Sequence, residues 1–136
     1  MNALIDTNVI LDVLMRREPF FADSSAVLDR AERGEFMGWL CATTVTTIFF
    51  LLRKELRRDQ AIERLKDLTA ICAIAPVNQG VVDAAMESDF SDFEDAVLNH
   101  SALLVGASCI VTRNERDFRN SSLLVYHPSQ FLAALG

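Results

Sequence analysis

Short apolar runs alternate with longer amphipathic stretches along the whole chain. Ala3-Leu4-Ile5 stops at Asp6-Thr7-Asn8, the pattern of a buried strand ending in a polar turn. Val9 through Met15 then predicts a short helix that ends before Pro19. A second helix is predicted from Phe20 to Glu32, with Phe21, Val27, Leu28 and Ala31 apolar and Gly34 as its stop. Met37 to Ala42 reads as a strand. Thr44 is the expected N-cap of a strongly apolar helix through Ile48, Phe49, Leu51, Leu52 and Leu56. Asp59 is expected to cap the next helix, which carries Ile62, Leu65 and Leu68. Ala73–Val77 follows as a strand and Val81–Met86 as a helix. Ser91 and Glu94 have capping-box spacing, opening a helix whose core face is expected to hold Phe93, Val97, His100 and Leu104. Ser108–Thr112 and Leu123–Tyr126 complete the strands, and Pro128–Leu135 forms a last helix.

Strands alternating with helices predict an α/β fold, a three-layer α/β/α sandwich around a parallel sheet of four to five strands. The chain has 136 residues, enough for one domain (residues 1–136), and no Pro/Gly/Ser-rich linker divides it. Apolar residues make up 51% of the sequence, which supports a sizeable core. Cys41, Cys72 and Cys109 lie far apart among apolar neighbours, as buried thiols of a reducing compartment do. The N-terminus has no basic stretch and meets Asp6 too early for a signal peptide. No apolar run reaches the roughly 20 residues of a membrane helix. A cytoplasmic protein with no membrane partner is therefore expected. The net charge of −6 excludes a general polyanion binder; a nucleic-acid role requires local basic patches or a metal ion to mask carboxylates.

In folds of this kind ligands bind beyond the carboxyl ends of the strands. Asp6, the segment Thr43–Thr47, and the trio Arg113, Asn114 and Asp117 all follow strands and are expected to open onto one crevice. The stretch Asp89–Asp95 concentrates carboxylates at a helix start, and helical spacing puts Asp92, Asp95 and Asn99 on one flank, with Glu94 pointing elsewhere. Converging carboxylates repel one another unless a cation sits between them. The hard ions Mg2+ or Mn2+ suit oxygen donors, and such ions support hydrolysis of phosphodiesters. Zinc spacing and a P-loop are both missing, and the two histidines are isolated.

These residues also carry a resemblance. Asp6-Thr7-Asn8-Val9-Ile10-Leu11-Asp12, Ser91-Asp92-Phe93-Glu94-Asp95-Ala96 and Val111-Thr112-Arg113-Asn114-Glu115-Arg116-Asp117-Phe118 resemble, in order and spacing, the opening, central and late motifs of PIN-domain nucleases. The resemblance spans nearly the whole chain. It implies a Mg2+-dependent endoribonuclease of the VapC toxin type, with an RNA substrate, a small antitoxin protein as partner, and a homodimeric state. By position it implies that Asp6, Asp95 and Asp117 bind metal, with Asp92 a further catalytic candidate. Thr7, Asn8 and Thr112 would support the site. Two positions depart from the family pattern: Thr47 stands where a glutamate is usual, and Asn114 where aspartate is frequent. Both keep an oxygen donor and lose a charge, which lowers metal affinity and makes a catalytically silent RNA- or protein-binding module the alternative reading. An aspartyl phosphotransfer domain ranks third, because Asn8 and Arg113 stand where that chemistry wants an aspartate and a lysine.

Arg113 and Arg116 lie beside the proposed site and are the candidate RNA-phosphate contacts. The denser run Arg53–Arg58 fits a solvated helix end. Trp39 reads as a packed strand residue, His100 as a core histidine and His127 as a turn residue. Phe49 and Phe50 give the helix after the second strand more apolar surface than one core face requires, consistent with deep burial or a subunit interface.

Overall fold

In a computed structural model, which describes residues 1–136, the chain forms a five-stranded parallel sheet flanked by helices. The elements are β1 (Asn2–Ile5), α1 (Thr7–Leu14), α2 (Phe21–Glu32), β2 (Met37–Cys41), α3 (Ala42–Leu52), α4 (Arg58–Ile71), β3 (Ala73–Ala75), α5 (Gln79–Glu87), α6 (Phe93–Leu104), β4 (Cys109–Val111), a 3-10 turn at Glu115–Phe118, β5 (Leu124–Tyr126) and α7 (Pro128–Leu135). The strand order is β3-β2-β1-β4-β5, and every neighbouring pair is parallel.

The strands are short and apolar because both sheet faces are covered. Ala3 and Ile5 of β1, Leu40 of β2 and Cys109 and Val111 of β4 face a core shared with α1, α2, α3, α4 and α7. Leu4, Cys41 and Ile110 point the other way, into a core shared with α5 and α6. The side-chain period of two thus divides one apolar run between two cores. On the first face Phe131 of α7 is fully buried and meets Phe36 edge-on, with ring centroids 4.8 Å apart. Helix α2 ends at Glu32, and Gly34, just past its Arg33 C-cap, has a φ of +76° that suits glycine.

All three cysteines are free and buried. Burial raises the thiol pKa of Cys72 to about 12 and also raises that of Cys109. A thiolate is the reactive form, so the folded protein is expected to leave a thiol-titrating disulfide reagent unreacted, and the unfolded chain to consume it at all three positions. Rapid labelling under native conditions would show that these thiols are exposed.

The structure corrects four details of the sequence reading. Helix α3 starts directly after β2 with Cys41 as N-cap, so Thr44 lies in the first turn and is fully buried rather than capping. Helix α4 starts at Arg58, and Gln60 Oε1 accepts from the Arg57 backbone N–H at 3.0 Å, leaving Asp59 in the first turn. Helix α6 is capped by Asp92, whose Oδ1 accepts from Asp95 N–H at 3.0 Å; the Ser91–Glu94 box does not form. Its buried face is Ala96, Val97, Leu98, Asn99, Ser101 and Ala102, while Phe93 and Leu104 are exposed and His100 is partly exposed. Small side chains let α6 lie close on the sheet and against α5, so the largest apolar residues do not mark the core face. Asn99 turns inward as well and accepts from Ser121 Oγ.

Trp39 does pack against the second core. His127 is the N-cap of α7, with Nδ1 3.4 Å from the Ser129 backbone N–H. No helix is long and apolar enough to cross a membrane.

Candidate active site

The strand order reverses between β1 and β4, and the crevice at such a switch point is where open α/β sheets bind ligands. Asp6 stands there. Its backbone N–H bonds to Val111 O at 2.9 Å, extending the β1–β4 ladder one residue past β1. Its side chain caps α1 by accepting from Thr7 N–H at 2.7 Å on Oδ1. On Oδ2 it accepts from the fully buried Thr112 hydroxyl, also at 2.7 Å. Each oxygen therefore has one bond and keeps a second acceptor direction free. Thr112 Oγ1 in turn accepts from Asn114 N–H at 3.0 Å. The hydroxyls of Thr7 and Thr44 lie 2.8 Å apart, which ties the start of α1 to that of α3.

Asp95 comes from the first turn of α6. Burial raises its pKa to about 7, with further upward pushes from Asp6, Asp92, Asp117 and Glu94. Burial also raises the pKa of Asp6, opposed by the bonds from Thr112 and Thr7 and reinforced by Glu94 and Asp117. The predicted acidic residues Asp6, Asp95, Asp92 and Asp117 are thus brought within electrostatic reach of one another. Glu94, expected to point away, adds to the same field.

The late motif and the acidic helix start are packed together. Phe118 is buried and meets Phe90 edge-on at 6.0 Å, and Asn120 donates to Asp89 O at 2.9 Å. Beside them Arg113–Asp117 line an open cleft of about 470 Å³. Arg116 is exposed there. Arg113 is not free: its guanidinium makes a bidentate pair with Asp12, at 2.6 and 3.0 Å, and lies over Phe20 at 3.9 Å. Thr47 is likewise committed, donating to Thr43 O in its own helix at 3.1 Å. Sequence reasoning missed Asp12 and Glu94 as parts of this region, whereas Thr44 lies in the Thr43–Thr47 segment expected there. Asp12 alone carried a signal, as a charge inside an otherwise apolar helix.

A buried carboxylate beside a half-buried one whose charge is opposed by four neighbours is a donor set suited to a hard divalent cation. No three acidic, histidine or cysteine side chains close a cage by themselves. Mg2+ ordinarily takes only one or two carboxylates and keeps several waters, so Asp6 and Asp95 fit it.

The raised pKa gives a stability–pH relation with a definite sign. Below about pH 4 Asp95 is protonated in both folded and unfolded chains. Between about pH 4 and 7 the unfolded chain ionises freely while the folded one resists, so stability falls as pH rises and then levels off. Solvent screens a half-buried group, leaving about 1–2 kcal/mol. Urea unfolding in EDTA should therefore show a decline from pH 5 to pH 8 that is reduced in Asp95→Asn and in Mg2+. An identical decline in that variant would assign the effect to other groups.

Comparison with known proteins fits this geometry. The family model for the PIN domain matches residues 2–116. No curated protein sequence matches the chain. Among solved structures, FitAcB from Neisseria gonorrhoeae is similar with a TM-score of 0.73 at 21% identity, covering 93% of this chain and 98% of that one. VapBC-1 from nontypeable Haemophilus influenzae has a TM-score of 0.69 at 17% identity, covering 95% and 99%. A toxin–antitoxin complex from Klebsiella pneumoniae has a TM-score of 0.70 at 18% identity, covering 93% and 97%. The solved structures share the fold and the family model spans most of the sequence: this chain belongs to the PIN-domain family.

Proposed function

We propose that the protein is a Mg2+- or Mn2+-dependent endoribonuclease acting as the toxin of a toxin–antitoxin pair. The observation that carries the reading is the convergence of Asp6 and Asp95 at the sheet's switch point, with Asp117, Asp92 and Glu94 close enough to oppose ionisation of Asp95. A divalent ion bound there supplies charge neutralisation and water activation for phosphodiester hydrolysis. Asp6 and Asp95 hold it, and Asp117 completes the acidic rim. Thr112 and the Thr7 backbone fix both oxygens of Asp6. Asp92 caps α6 and thereby sets where Asp95 stands. Arg116, exposed on the cleft, orients the RNA backbone by its charge.

The toxin assignment draws on the likeness to VapBC-1 and to the Klebsiella toxin–antitoxin complex. A small antitoxin protein is the partner that goes with it. A homodimer belongs to the same reading, supported by Phe50 on α3, which is 66% exposed with the Lys54 ammonium 5.4 Å from its ring centroid.

The test is cleavage of a mixed RNA substrate by the purified protein in Mg2+, Mn2+ or EDTA. Cutting that needs the metal is the expected result. Metal-independent RNA binding without cutting would instead establish the silent binding module, which Asn114 and the uncharged, internally bonded Thr47 favour.

A further inference from the structure

Arg113 lines the cleft beside the site, yet its guanidinium is bound elsewhere. Its Nε and Nη2 donate to Asp12 Oδ2 and Oδ1 at 2.6 and 3.0 Å. Asp12 is completely buried and accepts a third bond from Ser24 Oγ at 3.0 Å. The guanidinium face lies 3.9 Å from the Phe20 ring centroid, and its side chain is only 18% exposed. The Arg113 backbone N–H is 3.4 Å from Asn8 Oδ1. Residues from α1, from α2 and from the connection between them thus grip a single residue that follows β4.

The neighbours of Arg113 explain why such a grip matters. Thr112 is bonded to Asp6, and Asn114 N–H is bonded to Thr112. Asn114 O then accepts from Asp117 N–H at 3.0 Å, starting the 3-10 turn that carries Asp117. The chain from Thr112 to Asp117 therefore hangs from Asp6 and from the Arg113–Asp12 pair. A bidentate, stacked and desolvated pair has one geometry, whereas a surface ion pair has many.

We infer that Arg113 and Asp12 form a buried latch that fixes the Asn114–Asp117 segment against α1, making Arg113 a positioning residue for the acidic site and not an RNA-phosphate contact. The latch assigns a task to a charge that the metal chemistry leaves unused. Its consequence for metal affinity rests on the nuclease reading above; its consequence for loop order does not.

Removing one partner alone strands a buried charge and can unfold the chain, so the informative variant is the double replacement Asp12→Asn with Arg113→Met, which stays close to the native shape, keeps an acceptor for Ser24 and removes both charges. Two readouts are made beside the wild type, each on protein shown to be folded by circular dichroism. Amide hydrogen exchange at residues 114–118, without metal, is expected to speed up about tenfold or more in the double variant, with the β1 and β4 amides unchanged. Mn2+ affinity, followed by electron paramagnetic resonance, is expected to fall about 10- to 100-fold, as when residues that orient metal ligands are lost. RNA affinity in EDTA and its salt dependence are expected to stay as in the wild type. Arg113→Lys is expected to behave like the double variant, because an ammonium lacks the fork and the stacking face.

Unchanged exchange at 114–118 in the folded double variant overturns the latch, whatever the metal result. Weaker RNA binding in EDTA, with a salt slope reduced by about one, overturns it in favour of a phosphate contact. Faster exchange in the double variant together with no Mn2+ binding by the wild type keeps the latch as a loop anchor and sinks the metal reading instead.

Discussion

Asp95→Asn is expected to lower metal-dependent RNA cleavage by on the order of 10³-fold, since the loss falls on a proposed ligand of the ion that would activate the water and offset the developing negative charge. The same substitution is expected to leave the metal-free protein folded and at least as stable at neutral pH. Asp95 sits half-buried among Asp6, Asp92, Asp117 and Glu94, and its negative charge opposes folding unless a cation offsets it. An amide of the same shape removes that repulsion. Asp6→Asn is expected to match it in activity, with a smaller gain in stability, because Asp6 also caps α1 and holds Thr112. Single-turnover cleavage and thermal unfolding of the same preparations make the check. Loss of activity with loss of fold would reassign Asp95 to a structural role. Retained activity in both variants would place the chemistry elsewhere.

The largest loss of stability is expected from Arg113→Ala. The guanidinium is the charged partner of Asp12, which has no exposed surface, and its departure leaves a carboxylate buried with only the Ser24 hydroxyl. Breaking a buried pair from one side typically costs about 3–5 kcal/mol, a large share of the stability of a small domain. Surface pairs such as Arg33–Asp29 lie in solvent, and their loss is expected to cost under about 1 kcal/mol. Urea unfolding of Arg113→Ala and Arg33→Ala side by side measures the contrast. Equal, small effects would mean that the Arg113–Asp12 pair does not stabilise the folded protein.

Much of the architecture was legible because strands buried on both faces read as short apolar runs, and because turns and caps punctuated them. The C-terminal end of β1 and both ends of α7 are where the sequence placed them, and Asp6 was conspicuous as a carboxylate ending a buried strand. What was not legible depended on contacts between distant residues. The phase of α6 was misjudged by weighting Phe93 and Leu104, since nothing local says that the small residues Ala96, Ser101 and Ala102 face the sheet. Thr44 looked like a cap because threonine often is one; only the direct passage from β2 into α3, and Thr7 on a different helix, give it its place. The pairing of Asp12 with Arg113 spans 101 positions. Arg113 therefore read as a free cation beside an acidic site, when its charge is already neutralised by another element. Asp92 read as a further catalytic candidate on the strength of its charge, and its Oδ1 also caps α6, a role that only the helix start reveals.

The assignment of Asp6 and Asp95 as joint holders of a divalent ion makes a direct prediction. It is tested most directly by titrating Mn2+ into the folded wild-type protein, Asp6→Asn and Asp95→Asn, and following the free ion by electron paramagnetic resonance. Saturable binding by the wild type, weakened at least tenfold in both variants, is the expected result. No saturable binding by the folded wild type, or equal binding by all three proteins, would contradict it.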